Sequence, residues 1–378
     1  MTEVLLGGIR KHLVDLLRGL RDASYDVTLA YSAGRMDPLA RQQLLDLARR
    51  GVRIVEIPMP PGLRPLAYLG SLARTVRLLR LVRPDILHCH AAKAGALGRI
   101  AARLAGVRNV VYTPHGGSFH RFAGLRGRAY LAVERFLVTS STQFIGVSTD
   151  SYRAIREHLR VRDSQVHLVH NGISLAEIDD DRRRGAMTRR DLGVPDDRFV
   201  VLYPALFLEM KGHLEFLSAL ERSEARLRPE VVILLAGEGP LQSEIARRVA
   251  QLGVSEYVHF LGFQRDLFRF YRICDLVLLP SQAEAFPYVP LEAMACSKGI
   301  IATRVGGMPE AVVHGHNGEL VAPDRLAEVV GRLNYYAEHR DEAARLGRNG
   351  RAMVEQRFAL GRMIADTIKV YRAALHHP

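Results

Sequence analysis

Short β-branched runs alternate with longer amphipathic stretches almost from one end of this chain to the other. Runs such as Val231–Ala236 and Leu276–Leu279 have the length of a strand, whereas residues 66–82 carry apolar side chains at helical spacing. Strands that alternate with helices in this way favour parallel strands joined by crossover helices. The pattern therefore predicts an α/β fold built from doubly wound parallel sheets.

The alternation is interrupted once, around residues 179–185, where the sequence becomes fully charged. We predict an amino-terminal Rossmann-like domain over 1–178, a linker over 179–198, a second Rossmann-like domain over 199–350, and carboxy-terminal helices over 351–378 that pack back toward the first domain. Two such sheets that face each other would leave a cleft between the carboxyl ends of their strands. Open α/β sheets bind ligands at these strand ends, so the cleft is the expected binding site. The predicted strands lie at 27–31, 52–57, 86–90, 109–113, 143–147 and 166–169, and then at 200–204, 231–236, 258–261, 276–279 and 299–303.

Composition narrows the class of protein further. With 378 residues, of which 48% are hydrophobic, the chain is too apolar to be disordered. Its three cysteines, Cys89, Cys274 and Cys296, are too widely spaced for a disulfide framework or a zinc site and indicate a reducing compartment. The apolar runs are shorter than the roughly 18 residues that cross a bilayer, and no signal-peptide pattern opens the sequence. We therefore expect a cytoplasmic protein.

The chain carries 53 Lys and Arg against 40 Asp and Glu, a net charge of +13. This excess suggests contact with an anionic partner, which can be nucleic acid, phospholipid headgroups or a phosphorylated small molecule. The arginines are spread along helices, so a general preference for arginine at the surface explains the charge equally well.

The most informative segment follows the predicted strand at 276–279. It contains two carboxylates, Glu284 in a loop and Glu292 just inside a helix that we expect Pro290 to open. A helix start binds anions such as phosphate, and the nearby carboxylates can accept hydrogen bonds from sugar hydroxyls, so the segment suits a nucleotide sugar. Taken alone, Glu284 reads more simply as a loop charge and Glu292 as a residue favoured by the helix dipole.

The surrounding motifs favour the interpretation of Glu284 and Glu292 as binding residues. Val305-Gly-Gly-Met-Pro-Glu310, Ala236-Gly-Glu-Gly-Pro240 and Lys211-Gly212 follow predicted strands of the second half. The first half contributes His90-Ala-Ala-Lys-Ala-Gly95, Tyr112-Thr-Pro-His-Gly116, Gly146-Val-Ser148 and His170-Asn-Gly-Ile173. In this joint order the motifs resemble the retaining glycosyltransferases of family 4, which have the GT-B fold. The resemblance covers nearly the whole chain and is closest to the bacterial branch that builds exopolysaccharide, capsule and lipid-linked oligosaccharides.

The resemblance implies roles for three charged residues of the second half. Glu292 would bind the nucleotide ribose, Glu284 would orient the donor sugar and phosphate, and Lys211 would neutralise the diphosphate. His115 would project from the amino-terminal sheet toward the donor sugar. Gly237 and Gly239 would lie near the base, Gly7 and Gly8 would approach the phosphates closely, and the backbone of Phe286, Pro287 and Tyr288 would line the donor sugar.

The resemblance also implies the chemistry. A lysine and a helix amino terminus aimed at the phosphates stabilise the charge of the leaving nucleoside diphosphate, so no metal or other cofactor is expected. Retention in this family is ascribed to front-face attack, in which a donor phosphate oxygen takes the acceptor proton, and we assign no protein nucleophile.

Two sets of residues invite a metal assignment that we do not favour. The run Asp179-Asp180-Asp181 is followed by three arginines and is interpreted as a solvated linker. His88 and His90 share one face of a predicted strand and could ligate a metal, but the sequence places no carboxylate or cysteine beside them. We therefore interpret them as structural residues at a strand end.

The sequence departs from the family pattern at two positions. The family usually has Gly-Arg-Leu ahead of the lysine, and its arginine reaches the diphosphate, whereas this chain has Ala205-Leu206-Phe207. One phosphate-binding charge is thus missing at Leu206. The loop Asn171-Gly172-Ile173 continues with Ser174 where an acidic residue is common.

These observations favour a cytoplasmic, peripheral-membrane glycosyltransferase that moves a hexosyl or N-acetylhexosaminyl group from a nucleotide sugar to a lipid-linked or polysaccharide acceptor. Much of the charge would then serve docking on anionic lipid, and nucleic acid is not an expected partner. Two alternatives remain. One is a binding subunit that has lost turnover, suggested by Leu206 and by the start of the sequence, and the other is a nucleotide-sugar 2-epimerase, which uses a similar two-sheet architecture.

The start of the sequence raises one further expectation. Met1-Thr-Glu-Val-Leu-Leu-Gly-Gly8 leads at once into an amphipathic helix, whereas a doubly wound sheet begins with a strand ahead of such a glycine loop. We therefore expect a central first strand of the sheet to be missing from this sequence. A start codon assigned too late is the preferred explanation, and the alternative is that a later segment of the chain fills the gap.

Overall fold

The structure is a computed structural model that describes residues 1–60, 65–115, 124–181 and 187–376. The chain folds into two compact units, Met1–Gly172 together with Leu360–Pro378, and Ile173–Ala359. The predicted linker, 179–198, lies within the second unit, and its residues 182–186 fall outside the described part of the chain. No helix in the described ranges has the length and apolar character needed to cross a bilayer.

The first unit alternates strands with helices as the sequence predicts. Its strands are paired in parallel, in a two-stranded sheet β1-β2 and a four-stranded sheet β3-β4-β5-β6. The elements are α1 Gly7–Asp22, β1 Thr28–Tyr31, α2 Ala40–Arg49, β2 Arg53–Glu56, α3 Pro65–Val82, β3 Leu87–His90, α4 Ala92–Ala105, β4 Val110–Thr113, α5 Gly124–Leu137, β5 Gln143–Gly146, α6 Thr149–Leu159 and β6 Val166–Leu168.

The first residues of the chain lie between these two sheets. Thr2 forms isolated parallel bridges with Tyr31 at the end of β1 and with His90 at the end of β3. The Thr2 N–H donates to the Ala30 carbonyl at 3.0 Å, and the His90 N–H donates to the Met1 carbonyl at 2.9 Å. Backbone hydrogen bonds of Met1 and Thr2 therefore link the two sheets.

The second unit contains one parallel sheet of six strands in the order β12-β11-β10-β7-β8-β9. The strands β7, β8, β10 and β11 are buried along their whole length because helices cover both faces, as in other all-parallel sheets. The elements are α7 Leu175–Asp181, β7 Phe199–Pro204, α8 His213–Arg222, β8 Val231–Ala236, α9 Gln242–Gln251, β9 Val258–Gly262, α10 Phe268–Ile273, β10 Leu276–Leu279, α11 Tyr288–Ala295, β11 Gly299–Thr303, α12 Met308–Ala311, β12 Gly318–Val321, α13 Glu328–Glu338 and α14 Arg340–Arg357.

The strand order of this sheet changes direction between β7 and β10. The chain proceeds from β7 outward through β8 to β9, and then returns to β10 on the other side of β7. The carboxyl ends of β7 and β10 therefore form a topological switch point, where open α/β sheets leave a crevice for a ligand.

Two helices make up residues 340–375, α14 and α15 Leu360–Leu375, and they are separated by Phe358 and Ala359. The last helix, α15, belongs to the first unit, where it packs against α1. The Tyr371 hydroxyl lies 2.8 Å from Nδ1 of His88, and the other ring nitrogen of His88 lies 2.8 Å from the Thr113 hydroxyl. His88 thus connects α15 to strands β3 and β4.

Candidate functional site

A lysine and a glutamate meet at the switch point of the second unit. Lys211 ends a short 3-10 turn after β7, and Glu284 lies in the loop after β10. The Lys211 Nζ lies 2.6 Å from Glu284 Oε1, and the Ser281 hydroxyl donates to the same oxygen at 2.9 Å. Both charged side chains keep some exposure, 23% for Lys211 and 12% for Glu284. Two residues that the sequence analysis selected are therefore in direct contact.

Two glycines allow the backbone to bring this pair together. Gly212 has a φ of +79°, and a Cβ atom on it would lie 1.8 Å from the Pro280 carbonyl oxygen. Gly306 has a φ of +49°, and a Cβ atom there would lie 1.7 Å from the carbonyl oxygen of Glu284. Since only glycine combines a left-handed φ with so close an approach, both positions require glycine. The loops that carry Lys211 and Glu284 are packed backbone against backbone.

Helix α11 begins four residues after Glu284. It starts at Tyr288, two residues earlier than predicted, so that Pro290 is its third residue. Pro287 caps the helix without a side-chain hydrogen bond, and a helix start presents N–H groups that have no partner within the helix. Together with the helix dipole, these groups favour an anion at this point.

Glu292 lies in the second turn of α11 and has an aromatic partner. The Tyr271 hydroxyl on α10 donates to Glu292 Oε2 at 3.1 Å. Burial, and next the negative charge of Glu292, hold the pKa of Tyr271 well above its usual value, so the phenol stays protonated and remains a donor. Phe286 is buried, with its ring 5.4 Å from that of Phe358. The three residues Phe286, Pro287 and Tyr288 thus lead directly into the helix that carries Glu292.

Gly237 and Gly239 follow β8 and pack against the loop that carries Leu206. A Cβ atom on Gly237 would lie 2.0 Å from the Ala205 carbonyl oxygen, and one on Gly239 would lie 2.6 Å from that of Phe207. The Phe207 N–H donates to the Glu238 carbonyl at 3.0 Å. Gly237 and Gly239 therefore pack against the backbone of Ala205 and Phe207, on either side of Leu206. Leu206 is the apolar residue at the position where the family usually has arginine.

The first unit contains the remaining predicted site residues. Gly7 opens α1 with a φ of +52°, and its N–H donates to Asp37 Oδ2 at 3.0 Å; Gly8 is the next residue of α1. His115 lies two residues beyond β4 with a φ of +52°, and its Nε2 is 2.9 Å from Nδ1 of His90. Gly116, the last residue of its motif, lies outside the described residues. Because burial and then the nearby His12 and His88 push the pKa of His115 well below its usual value, its imidazole is neutral at pH 7.

Several residues of these sites were not selected from the sequence. Ser281 and Tyr271 bind the two glutamates, and His12 joins His90 and His115 in the first unit. No short motif marks Tyr271 or His12, because each reaches its partner across the fold. Ser281, three residues before Glu284, is the one that local spacing could have indicated.

The arrangement in the second unit can bind a diphosphate and a polyol together. The Lys211 ammonium and the start of α11 supply positive potential, and Glu284 and Glu292 supply acceptors for hydroxyl groups.

Family models match both halves of the chain. Residues 6–177 match the family Glycosyltransferase Family 4, and residues 186–353 match the family Glycosyl transferases group 1. Each model therefore covers most of one unit, and the second covers Lys211, Glu284 and Glu292.

Similar proteins agree with these matches. The chain is 28% identical to UDP-Gal:alpha-D-GlcNAc-diphosphoundecaprenol alpha-1,3-galactosyltransferase of Escherichia coli, covering 87% of this chain and 84% of that protein. It is 27% identical to D-inositol 3-phosphate glycosyltransferase 1 of Catenulispora acidiphila, covering 98% and 91% respectively. Among solved structures, Anabaena HepE in complex with UDP superimposes with a TM-score of 0.79 at 24% identity, covering 98% of each chain. The chain is thus a glycosyltransferase with the GT-B fold, built from two Rossmann-like domains.

Proposed function

We propose that this chain is a retaining glycosyltransferase that moves a sugar from a nucleoside diphosphate sugar to a lipid-linked or polysaccharide acceptor in cell-surface glycan biosynthesis. The observation that carries the proposal is the contact between Lys211 and Glu284 at the β7–β10 switch point, four residues before α11 begins. UDP is the first nucleotide to test, because HepE was solved with UDP and the Escherichia coli relative is named for a UDP-galactose donor.

Lys211 and the start of α11 would hold the diphosphate. When the bond between the anomeric carbon and the diphosphate oxygen breaks, negative charge develops on that oxygen, and a positioned ammonium stabilises it. Lys211 is ion-paired with Glu284, so a bound diphosphate would compete for the ammonium and release Glu284 to accept a hydrogen bond from the donor sugar. The neutral imidazole of His115 would contact the donor sugar, and no metal is needed for the reaction.

Retention would follow from attack on the face that the leaving group occupies. The acceptor oxygen bonds to the anomeric carbon, the carbon–diphosphate bond breaks, and an oxygen of the departing diphosphate takes the acceptor proton. Glu292 would fix the nucleotide by accepting hydrogen bonds from the ribose, with Tyr271 orienting its carboxylate. Gly237 and Gly239 would lie near the base. The Gly7 N–H is held by Asp37, so a close approach of the first loop to the phosphates would use Gly8.

The acceptor would reach the enzyme from a membrane surface. Helices α3, α4 and α5 pack in sequence along the first unit, and their one acidic residue, Glu134, is buried against Arg99 at 2.7 Å. The same helices expose arginines and large apolar side chains: Arg74, Arg77, Arg80, Arg103, Arg128, Leu69, Leu81, Leu104, Val133 and Phe136. A surface of arginine and exposed apolar side chains without exposed acids suits the headgroup region of an anionic bilayer.

Product analysis with a panel of nucleoside diphosphate sugars and a polyprenyl-diphosphate-linked acceptor tests the proposal. We expect a glycosylated product whose anomeric configuration, read by NMR coupling constants, matches that of the donor, and we expect turnover to continue in EDTA. Inverted configuration or loss of turnover in EDTA would contradict the mechanism.

The binding-subunit alternative keeps one specific support, the apolar Leu206 in place of a phosphate-binding arginine. It predicts nucleotide binding without turnover of any donor, whereas an epimerase would form a new nucleotide sugar with no acceptor present. The same panel, run with and without acceptor, separates the three functions.

A further inference from the structure

Three histidines from different elements of the first unit meet in a buried cluster. His12 lies on α1, His90 ends β3, and His115 follows β4. One ring nitrogen from each lies within 4.8 Å of the others, and within the described ranges of the chain this is the group of three with metal-ligand spacing. The sequence indicated His88 and His90 as the pair that could ligate a metal. In the structure one ring nitrogen of His88 is hydrogen-bonded to Tyr371 and the other to Thr113, so His88 has no ring nitrogen left for a metal.

From this geometry we propose that His12, His90 and His115 form a binding site for a divalent transition metal such as Zn²⁺. Neutral imidazoles are ordinary zinc ligands, and three of them with a solvent molecule in the fourth position make an open tetrahedral site. The inference goes beyond the proposed function, in which no metal takes part.

The contacts around the cluster match those of metal-binding histidines. Nδ1 of His12 lies 2.9 Å from the Asn171 side-chain oxygen, so that nitrogen carries the proton and Nε2 keeps its lone pair. A ligating histidine characteristically donates its second N–H to such an oxygen, which fixes the ring orientation. Asn171 is itself buried, with 6% of its surface exposed.

The His90–His115 pair requires only a small adjustment on metal binding, whereas His12, whose ligand nitrogen lies within 4.8 Å of theirs, would move closer. Two nitrogens on one tetrahedral zinc, each at about 2.0–2.1 Å, are about 3.3–3.4 Å apart. Nδ1 of His90 and Nε2 of His115 are 2.9 Å apart, joined by a shared proton. A zinc ion would take the place of that proton, which moves to the second nitrogen of its own ring so that both ligands stay neutral, and the two rings would separate by a few tenths of an ångström.

The protonation state also favours a metal. Burial lowers the pKa of His12 to about 4, and it pushes the pKa values of His90 and His115 well below the usual value. All three rings are therefore neutral at pH 7, and no imidazolium has to lose a proton before a metal binds. His115 is half-buried, whereas His12 and His90 are buried, so His115 is the most exposed of the three.

Metal binding would inhibit transfer. His115 is the residue that we propose to contact the donor sugar, and an ion on its ring would remove that contact. We expect micromolar Zn²⁺ to inhibit the enzyme and EDTA to restore activity.

Titration of Zn²⁺ into the untagged full-length chain, without any donor, tests the site directly. We expect one strong site per chain, an affinity at least tenfold weaker in His12→Gln and in His90→Gln, and no change in the exposed control His376→Gln. X-ray absorption of the zinc-loaded wild type should show histidine imidazoles as ligands, a readout that does not depend on how well the variants fold.

An absence of stoichiometric binding would overturn the proposal, as would equal affinity in His12→Gln and His90→Gln or a zinc shell without imidazole. Because nucleotide binding belongs to the second unit and is measured separately, failure of the metal site would leave the proposed transferase function standing.

Discussion

Substitution of Gly212 by alanine should damage both stability and donor binding. A Cβ atom at 1.8 Å from the Pro280 carbonyl oxygen would have to move by at least 1.2 Å to reach the 3.0 Å below which real Cβ atoms essentially never come. No rotamer can relieve the contact, because both partners are backbone. A left-handed φ of +79° adds about 1–2 kcal/mol for a residue with a side chain. With about 1–3 kcal/mol for overpacking, we expect the free energy of unfolding to fall by about 2–5 kcal/mol.

Gly253→Ala is the matched control. Gly253 lies in the same unit with a φ of +66°, but a Cβ atom there meets nothing within 4 Å. Its substitution should cost only the backbone strain, about 1–2 kcal/mol. Urea denaturation of the full chain measures both variants, and nucleotide titration should show weaker binding in Gly212→Ala alone, because the loops that carry Lys211 and Glu284 move apart. The reasoning is refuted if Gly212→Ala is as stable as Gly253→Ala and binds nucleotide as the wild type does.

Three further predictions address other parts of the account. Glu292→Ala should weaken nucleotide binding by about 1–3 kcal/mol in calorimetric titration, which is the range for hydrogen bonds to a charged group. Tyr271→Phe should weaken nucleotide binding less. Unchanged nucleotide affinity in Glu292→Ala would exclude a role for Glu292 in ribose binding. Burial, and next the positive charge of Lys211, lower the pKa of His213 to about 4 in the folded protein. The unfolded chain therefore binds more protons between about pH 6.5 and 4, and the free energy of unfolding decreases as the pH is lowered through that window. His213→Phe should reduce this acid sensitivity, and equal pH dependence in urea titrations would exclude the effect. Binding to anionic vesicles should decline steeply with salt and be reduced in Phe136→Ser, whereas equal partitioning to neutral vesicles would contradict membrane docking.

Local sequence pattern predicted most of the sheet architecture because apolar strands and amphipathic helices have different periods. The strand that it missed, β12 Gly318–Val321, contains Glu319, which reads as a loop charge. In the structure Glu319 is buried and accepts hydrogen bonds from Tyr336 and Arg332 of α13, at 2.8 and 2.9 Å. A charge in a strand is thus acceptable once a helix supplies its partners, and no strand-length window contains that helix.

One part of the candidate site could be predicted from local sequence motifs, and the other part could not. Lys211 and Glu284 were selected because short motifs after strands are local signals, and strand order explains why they meet. The hydrogen bond from Tyr271 to Glu292 and the cluster of His12 with His90 depend on contacts between distant elements. The close backbone approaches at Gly212 and Gly306 depend on atoms of other loops, so the sequence shows the glycines without showing what they contact.

The central claim is that the second unit binds a nucleoside diphosphate through Lys211. Calorimetric titration of UDP, GDP and ADP into the wild type, Lys211→Met and the exposed control Lys369→Met tests it most directly. We predict that at least one nucleotide binds with one site per chain, that Lys211→Met weakens it by about ten- to a hundredfold, as expected for a lost charge-assisted hydrogen bond, and that Lys369→Met leaves it unchanged. Failure of all three nucleotides to bind, or equal affinity in Lys211→Met and the wild type, would contradict the account.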